Sequence, residues 1–308
     1  MSHRISAIIP SHNVASYVGP AIESILAQTV PIDQILVVDD STDDSPDVVT
    51  RYEQQTRGRV KLIRVDPCNV SEARNIGLEA ATGQWIALLD ADDLWLAEKT
   101  QRQLELLEQD RAAVGAFCGL FRFQRDLDDL GRPTWDVVRD RPTIVEITRT
   151  QMAVASATLF RRDAMGSLRF DPKTGHAEDT IFAAELGFAG HWRCLTEPLL
   201  ARREHGTQVT ANPWHTVWNT QTRVAWCRRH AEKIGLDEAA QVENDLWRGL
   251  VEFIERRFWA RQLDELSSLR DKVNELCPEV MAQSSVASRH IYPRWMYGIR
   301  DRLAKSNG

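Results

Sequence analysis

No stretch of this 308-residue chain approaches the roughly 20 consecutive apolar residues that a bilayer-spanning helix needs. The apolar run from Arg4 to Pro10 is also too short for a secretory leader, so no signal peptide is expected. Basic residues are not in excess. With 38 Lys and Arg against 44 Asp and Glu, the net charge of -6 excludes a protein built on polyelectrolyte attraction to nucleic acid. Cysteine is scarce and scattered: Cys68, Cys118, Cys194, Cys227 and Cys277 form no CxxC pair, and reduced thiols in a cytoplasmic protein are the simplest reading. Glycine is missing where nucleotide-binding loops need it. Pro10-Ser11-His12-Asn13 follows the first apolar run without one, which removes a GxGxxG dehydrogenase and counts against a sugar-phosphate nucleotidyltransferase. No internal repeat or low-complexity segment stands out.

What is present is acid at the ends of apolar runs. Trp85-Ile86-Ala87-Leu88-Leu89 stops in Asp90-Ala91-Asp92-Asp93, Ile35 to Val38 runs into Asp39-Asp40-Ser41, Leu62 to Val65 into Asp66-Pro67, and Ile5 to Pro10 into Ser11-His12-Asn13. Helical patterns lie between them, over Ser16 to Gln28, Ser45 to Gln55 and Ser71 to Ala81. Strands alternating with helices predict an α/β fold with a Rossmann-like, mainly parallel sheet and flanking helices, its polar strand ends gathered on one side. Crowded carboxylates repel one another unless a cation lies between them, and hard oxygen ligands suit Mg²⁺ or Mn²⁺ shared with a phosphate-bearing substrate. The competing role for Asp92 and Asp93 is to cap a helix starting near Leu96.

Four segments together resemble the family 2 nucleotide-sugar glycosyltransferases of GT-A fold: Ile8 to Asn13, Val37 to Asp43, Ser71-Glu72-Ala73-Arg74-Asn75-Ile76-Gly77, and Leu88 to Asp93. A weaker likeness continues through Ala155 to Arg162, Glu178-Asp179-Thr180 and Arg202-Arg203-Glu204-His205, so it covers roughly residues 4 to 210. The resemblance implies that Pro10, Ser11, His12, Asn13, Asp39, Asp40, Arg74, Asp90 and Ala91 bind the donor nucleotide, and that Asp92, with His205 and Asp93 as neighbours, holds the metal. It also implies that Asp179, beside Glu178, is the catalytic base and that transfer inverts the anomeric centre. The residue types fit these roles: Asp40 can accept from the N3 proton of uracil or thymine, Arg74 offers a planar fork of donors, and imidazole can complete a metal shell. Asp39 to Asp44 as an Asp-rich turn, Arg74 as a surface residue of its helix, and Glu178 and Asp179 as favourable charges at a helix N-terminus are the plainer roles open to the same residues.

Domain organisation is expected as a catalytic domain over 1–211, with nucleotide-sugar binding in 1–110 and the acceptor side and base in 111–211, followed by a helical region over 212–308. The span from Asp126 to Asp140 reads as a loop near the acceptor, and Gly190 to Cys194 as a return strand. Leu246, Leu250, Ile254 and Phe258 recur at helical spacing. Trp214, Trp218, Trp226, Trp247, Trp259 and Trp295 are expected to pack these helices against the catalytic domain or a second subunit of a homodimer. A second reading has Tyr292 to Tyr297, with Arg300, Arg302 and Lys305, touching the inner face of a membrane, as a lipid-linked acceptor would favour. The Gln-x-x-Arg-Trp motif of processive synthases is absent, so transfer of one or a few residues to a glycan or lipid-linked hydroxyl is expected, from a UDP-sugar in preference to other donors, in surface polysaccharide assembly. The alternative is a scaffold of the same shape that has lost turnover.

Overall fold

A computed structural model describes residues 4–124, 139–150, 153–206, 208–289 and 291. The chain divides into two compact units, Met1–Gln208 and Val209–Gly308.

The first unit opens with β1 (Ile5–Ser11), α1 (Ala15–Leu26), β2 (Gln34–Asp39), α2 (Ser45–Gln55), β3 (Val60–Arg64), α3 (Val70–Ala80) and β4 (Trp85–Leu88). It continues through β5 (Leu94–Trp95), α4 (Lys99–Glu108), β6 (Ala113–Phe123), α5 (Ile144–Thr150), β7 (Leu159–Arg161), α6 (Arg162–Met165), α7 (Glu178–Leu186) and β8 (His191–Arg203). These strands form one sheet in the order β3-β2-β1-β4-β7-β6-β8-β5. Pairing is parallel from β3 through β4 and between β6 and β8, whereas β7 and β5 pair antiparallel with their neighbours.

Apolar runs without alternation are explained by burial on both faces. Ile5, Ala7 and Ile9 of β1 join one hydrophobic cluster with Ile35, Val37, Trp85 and Ala87, while Ile8 joins the other with Leu36, Ile86 and Leu88. Period-2 geometry sends successive side chains to opposite faces, and helices cover both, so neither face is polar. In-register pairing then brings strand ends together: Ser11 lies opposite Asp39, and Leu89 N–H donates to the Ile8 carbonyl beside them, so the residues after β1, β2 and β4 share one edge.

The helix expected near Leu96 begins instead at Lys99, with Glu98 as its N-cap, because Leu94 and Trp95 are drawn into the sheet opposite Ala201 and Leu200 of β8. Asp93 therefore caps no helix. α3 is fixed at its start by Asn69, whose side chain accepts from Glu72 N–H while Glu72 accepts from Asn69 N–H. Gly77 lets the same helix press onto β1, since a Cβ there would lie 2.4 Å from Ile8 Cγ2.

The second unit consists of helices: α8 (Pro213–Arg229), α9 (Ala231–Ile234), α10 (Leu236–Trp259), α11 (Leu266–Leu276) and α12 (Pro278–Met281). Val242, Leu246, Leu250, Ile254 and Phe258 form the buried stripe of α10. Trp226 and Trp247 are buried, whereas Trp218 and Trp259 remain exposed. Trp295, the Tyr292 to Tyr297 segment, Arg300, Arg302 and Lys305 lie outside the described residues, as does most of the Asp126 to Asp140 span. All five cysteines are unpaired, and among the described residues no helix is long and apolar enough to cross a membrane.

Gly77→Ala forces either the branched Ile8 side chain or α3 to move. It is expected to lower unfolding free energy by about 1–3 kcal/mol, the usual range for overpacking, in a urea titration.

Candidate functional site

Asp39 is fully buried and its carboxylate is saturated. It accepts from Ser11 Oγ, from both the N–H and Oγ of Ser41, and from the Arg64 guanidinium. Asp39 thus ties the ends of β1, β2 and β3 together. Asp40, the next residue, is differently placed: Oδ2 accepts from Cys68 N–H at 3.0 Å, and Oδ1 lies 2.8 Å from Nδ1 of the solvent-exposed His12 ring. Asn13 has a positive φ of 52° and completes the loop, its Oδ1 accepting from the backbone of Thr42 and Asp43 while its own N–H donates to Ser41 Oγ. Asn is among the residues that tolerate this left-handed conformation. Pro10 remains within β1, opposite Val38.

Arg74 is not a surface residue. Its side chain is 3% exposed and its two terminal nitrogens are divided between Asp90 Oδ1 and Glu178 Oε1, each at 2.8 Å. The fork expected to face a ligand is therefore occupied by two carboxylates. Its plane lies over Phe170, 5.4 Å from the ring centroid. Burial disfavours the guanidinium charge, but Asp90, Glu178 and Asp179 more than offset it and hold Arg74 firmly protonated. Through this one side chain, the acid loop after β4 is joined to the first turn of α7.

Asp179 follows Glu178 at that turn, and Thr180 N–H donates to its Oδ1 at 2.7 Å. Burial, then the Glu178 charge, push its carboxyl up from 3.8 to about 6 against the pull of Arg74. A carboxylate with that affinity for protons is suited to general-base work near neutral pH.

The three acids after β4 have three environments. Asp90 is partly exposed, and its N–H donates to Ser156 Oγ. Asp92 Oδ2 lies 3.0 Å from His205 Nε2 and 3.3 Å from Gln208 Nε2. Asp93 is buried and accepts from Arg203 N–H; burial first, then the charges of Asp92 and Asp90, raise its pKa well above the ordinary carboxylate value. Ala91 between them is buried. The long strand β8 delivers the partners: Arg203 Nε donates to the Asp92 carbonyl while its guanidinium lies between the rings of Tyr17 and Phe123. His205 stacks on Tyr17 with centroids 5.0 Å apart.

Asp92 and His205 offer one hard oxygen and one imidazole nitrogen, both partly exposed, a donor pair that fits Mg²⁺ or Mn²⁺ when substrate oxygens and water fill the remaining positions. Among the described residues no group of three or more His, Cys, Asp or Glu is arranged to hold a metal by itself. Tyr17, Gln208 and Arg64 escaped the sequence reading. Tyr17 lies in α1 and Gln208 beyond β8, outside any acid-ended run, whereas Arg64 sits within the Leu62 to Val65 run and reaches Asp39 only through the pairing of β2 with β3. A cavity of about 780 Å³ lies elsewhere, at the opposite end of β1 and β4, lined by Arg4, Trp85, Arg161 and Arg162 among others.

Known glycosyltransferases resemble this chain in sequence and in fold. The sequence model described as "Glycosyl transferase family 2" matches residues 6–169, more than half the chain. An uncharacterized glycosyltransferase of Nostoc sp. is 43% identical over 106 residues, covering 34% of this chain and 33% of its own length. The UDP-Glc:alpha-D-GlcNAc-diphosphoundecaprenol beta-1,3-glucosyltransferase WfgD of Escherichia coli is 34% identical over 106 residues, 33% of this chain and 40% of that protein. The chain thus spans well under half the length of these two curated relatives. In fold it is similar to a mannosyltransferase of Pyrobaculum calidifontis solved with GDP-Man and Mn²⁺, with a TM-score of 0.55 and 20% identity over 94% of this chain and 85% of that one. This likeness places the α/β layers of the first unit in the GT-A fold.

Two outcomes follow. Arg74→Met leaves Asp90 and Glu178 facing each other without a cation and is expected to cost on the order of 2–4 kcal/mol in unfolding free energy, with Arg74→Lys recovering only part of it because an ammonium lacks the planar fork. For Asp179, a folded pKa near 6 above an ordinary value of 3.8 means that the folded state holds the extra proton between those values, so its ionisation destabilises the fold as pH rises. Asp179→Asn should therefore melt higher than the parent at pH 8, by on the order of 1 kcal/mol, with the gap closing toward pH 4.

Proposed function

This chain belongs to glycosyl transferase family 2, and from that membership we propose that it moves a sugar from a nucleotide diphosphate donor to a hydroxyl acceptor, inverting the anomeric centre. The observation that carries the reading is the Arg74 bridge, which holds Asp90 of the donor-side loop and the Glu178-Asp179 turn at one site. Residues 1–110 are assigned to donor binding, residues 111–211 to the acceptor side and base, and 212–308 to a helical appendage.

In this reading the loops carrying Pro10, Ser11, His12, Asn13, Asp39 and Asp40 form the base and ribose end, with Asp40 taking the imide N–H of uracil. Asp90 and Ala91 border the diphosphate. Asp92 and His205 hold the divalent cation, and buried Asp93 fixes the loop by accepting from Arg203 N–H. When bound, Mg²⁺ or Mn²⁺ supplies Lewis-acid neutralisation of the leaving diphosphate. Asp179 takes the proton of the acceptor hydroxyl as that oxygen attacks the anomeric carbon. The bond from that carbon to the diphosphate breaks on the opposite face, so one displacement inverts the centre. Glu178, held by Arg74, keeps the first turn of α7 in place.

A UDP-sugar is the preferred donor and a lipid-linked diphosphate glycan the preferred acceptor class, in keeping with the E. coli relative's name, and surface polysaccharide assembly is the setting. The mannosyltransferase neighbour, solved with GDP-Man, makes guanosine the base to test against uridine.

Titration calorimetry with UDP, dTDP and GDP in Mn²⁺, repeated with EDTA, tests the donor site. Saturable binding of one nucleotide that is lost with EDTA and with Asp92→Ala is expected; binding indifferent to both would overturn the metal assignment. Asp179→Asn should retain nucleotide binding and lose about 10²–10⁴-fold in transfer rate, the usual worth of a general base. The parent rate should fall as pH drops through about 6, where Asp179 gains its proton.

A further inference from the structure

The antiparallel pairing of β7 builds the cavity at the start of β4. Trp85 lies opposite Arg161, and Arg162 N–H donates to the Gln84 carbonyl, so the basic end of β7 arrives beside the first residues of β4 and far from the acid loop at its other end. On the β1 side Trp85 N–H donates to the Arg4 carbonyl, which brings a third arginine to the same place, and Arg169 joins them from the segment after α6. The space they line is about 780 Å³, within the usual range of small-molecule sites. No step of the proposed transfer uses it.

Its charge is unbalanced. Four guanidiniums, those of Arg4, Arg161, Arg162 and Arg169, line it against the two carboxylates of Glu79 and Asp163. Neither carboxylate is within ion-pair distance of any of the four, and Asp163 Oδ1 accepts from Ala164 N–H instead. Arg161 is held in place: Nε donates to the Ala113 carbonyl, Nη2 to that of Leu107, and its guanidinium lies 4.5 Å from the centroid of the Trp85 ring. Nη1 is left without a protein partner. Arg169 donates through Nη1 to the carbonyls of Gly166 and Leu168, while Arg4 and Arg162 are exposed and bonded through their side chains to none of the described residues. Guanidiniums gathered around one space repel one another, and their planar forks fit the oxygens of a phosphate two at a time. We propose that this cavity binds the phosphate or diphosphate group of a second ligand, at the end of the sheet away from Asp90 and Asp179. Arg161 is the fixed contact. Arg4 on the β1 side of β4 and Arg162 on the β7 side are the mobile ones. A phosphorylated small molecule and a lipid headgroup present the same chemistry to them.

Inorganic diphosphate is the probe, titrated calorimetrically into the full chain in EDTA so that no metal bridges it to the donor site. Saturable binding is expected, weakened on the order of tenfold by Arg4→Ala and by Arg162→Ala, whose exposed side chains support no packing. Glu79→Gln, which removes an opposing charge, is expected to tighten binding by about two- to fivefold, the worth of one exposed charge pair, and Asp92→Ala to leave it unchanged. A second arm sediments the chain with vesicles of phosphatidylglycerol and of phosphatidylcholine. Retention on the anionic vesicles alone, lost in both arginine variants, assigns the phosphate to a lipid headgroup; diphosphate binding without such retention assigns it to a soluble molecule. The site is overturned by no saturable binding in either arm, or by binding that both arginine variants keep.

Discussion

A guanidinium taken out of water is stable only where carboxylates meet it, and Arg74 is met by two that lie 16 and 104 residues away in the chain. That requirement organises the first unit. Arg74 stands in the first turns of α3, a helix pinned at its start by the Asn69 and Glu72 cap and at its middle by the close approach of Gly77 to Ile8. From this fixed position it reaches Asp90 after β4 and Glu178 at the head of α7. The donor-side acids and the proposed base cannot drift apart without stranding a buried cation, so the spacing of the reaction centre is set by electrostatics more than by loop packing.

Identical side chains around this bridge acquire different properties from their surroundings. Asp39 is saturated by four donors and serves as a strut, Asp40 is shared between the Cys68 N–H and the exposed His12 ring, and Asp92 lies against His205. Asp93 is buried where its charge is disfavoured, and Asp179 is half-buried with a carboxyl shifted toward neutrality. Desolvation and neighbouring charge thus give chemically identical carboxylates different partners and different affinities for a proton. For Asp179 the raised pKa has a cost in stability: its carboxylate destabilises the fold whenever it is ionised, the state that the proposed base requires.

The strand β8 has a less obvious role. Its 13 residues, His191 to Arg203, carry Trp192, stacked on Phe117 in the core, near one end and Arg203, set against the rings of Tyr17 and Phe123, at the other. A strand that long spans the sheet, so His205 arrives beside Asp92 on a rigid support. The short strand β5, paired to β8, performs the reciprocal service and delays the start of α4 to Lys99.

Periodicity and punctuation in the sequence determined the alternation of strands and helices, the burial of β1, β2 and β4 on both faces, and the acids waiting at the strand ends. Each of these is a local property: apolar runs of strand length bounded by turn residues, and helical spacing between them. The sequence also carried the ordered motifs that assign the family. It did not determine what each acid does, because Asp39 and Asp40, or Asp92 and Asp93, are indistinguishable until burial and partners are known. It could not reveal that the Arg74 fork is filled by Glu178, that Tyr17 carries His205, or that His12 lies against the Asp40 oxygen. Those facts depend on contacts between residues up to 188 positions apart in the chain, and only tertiary structure, by choosing which strand lies beside which, decides them.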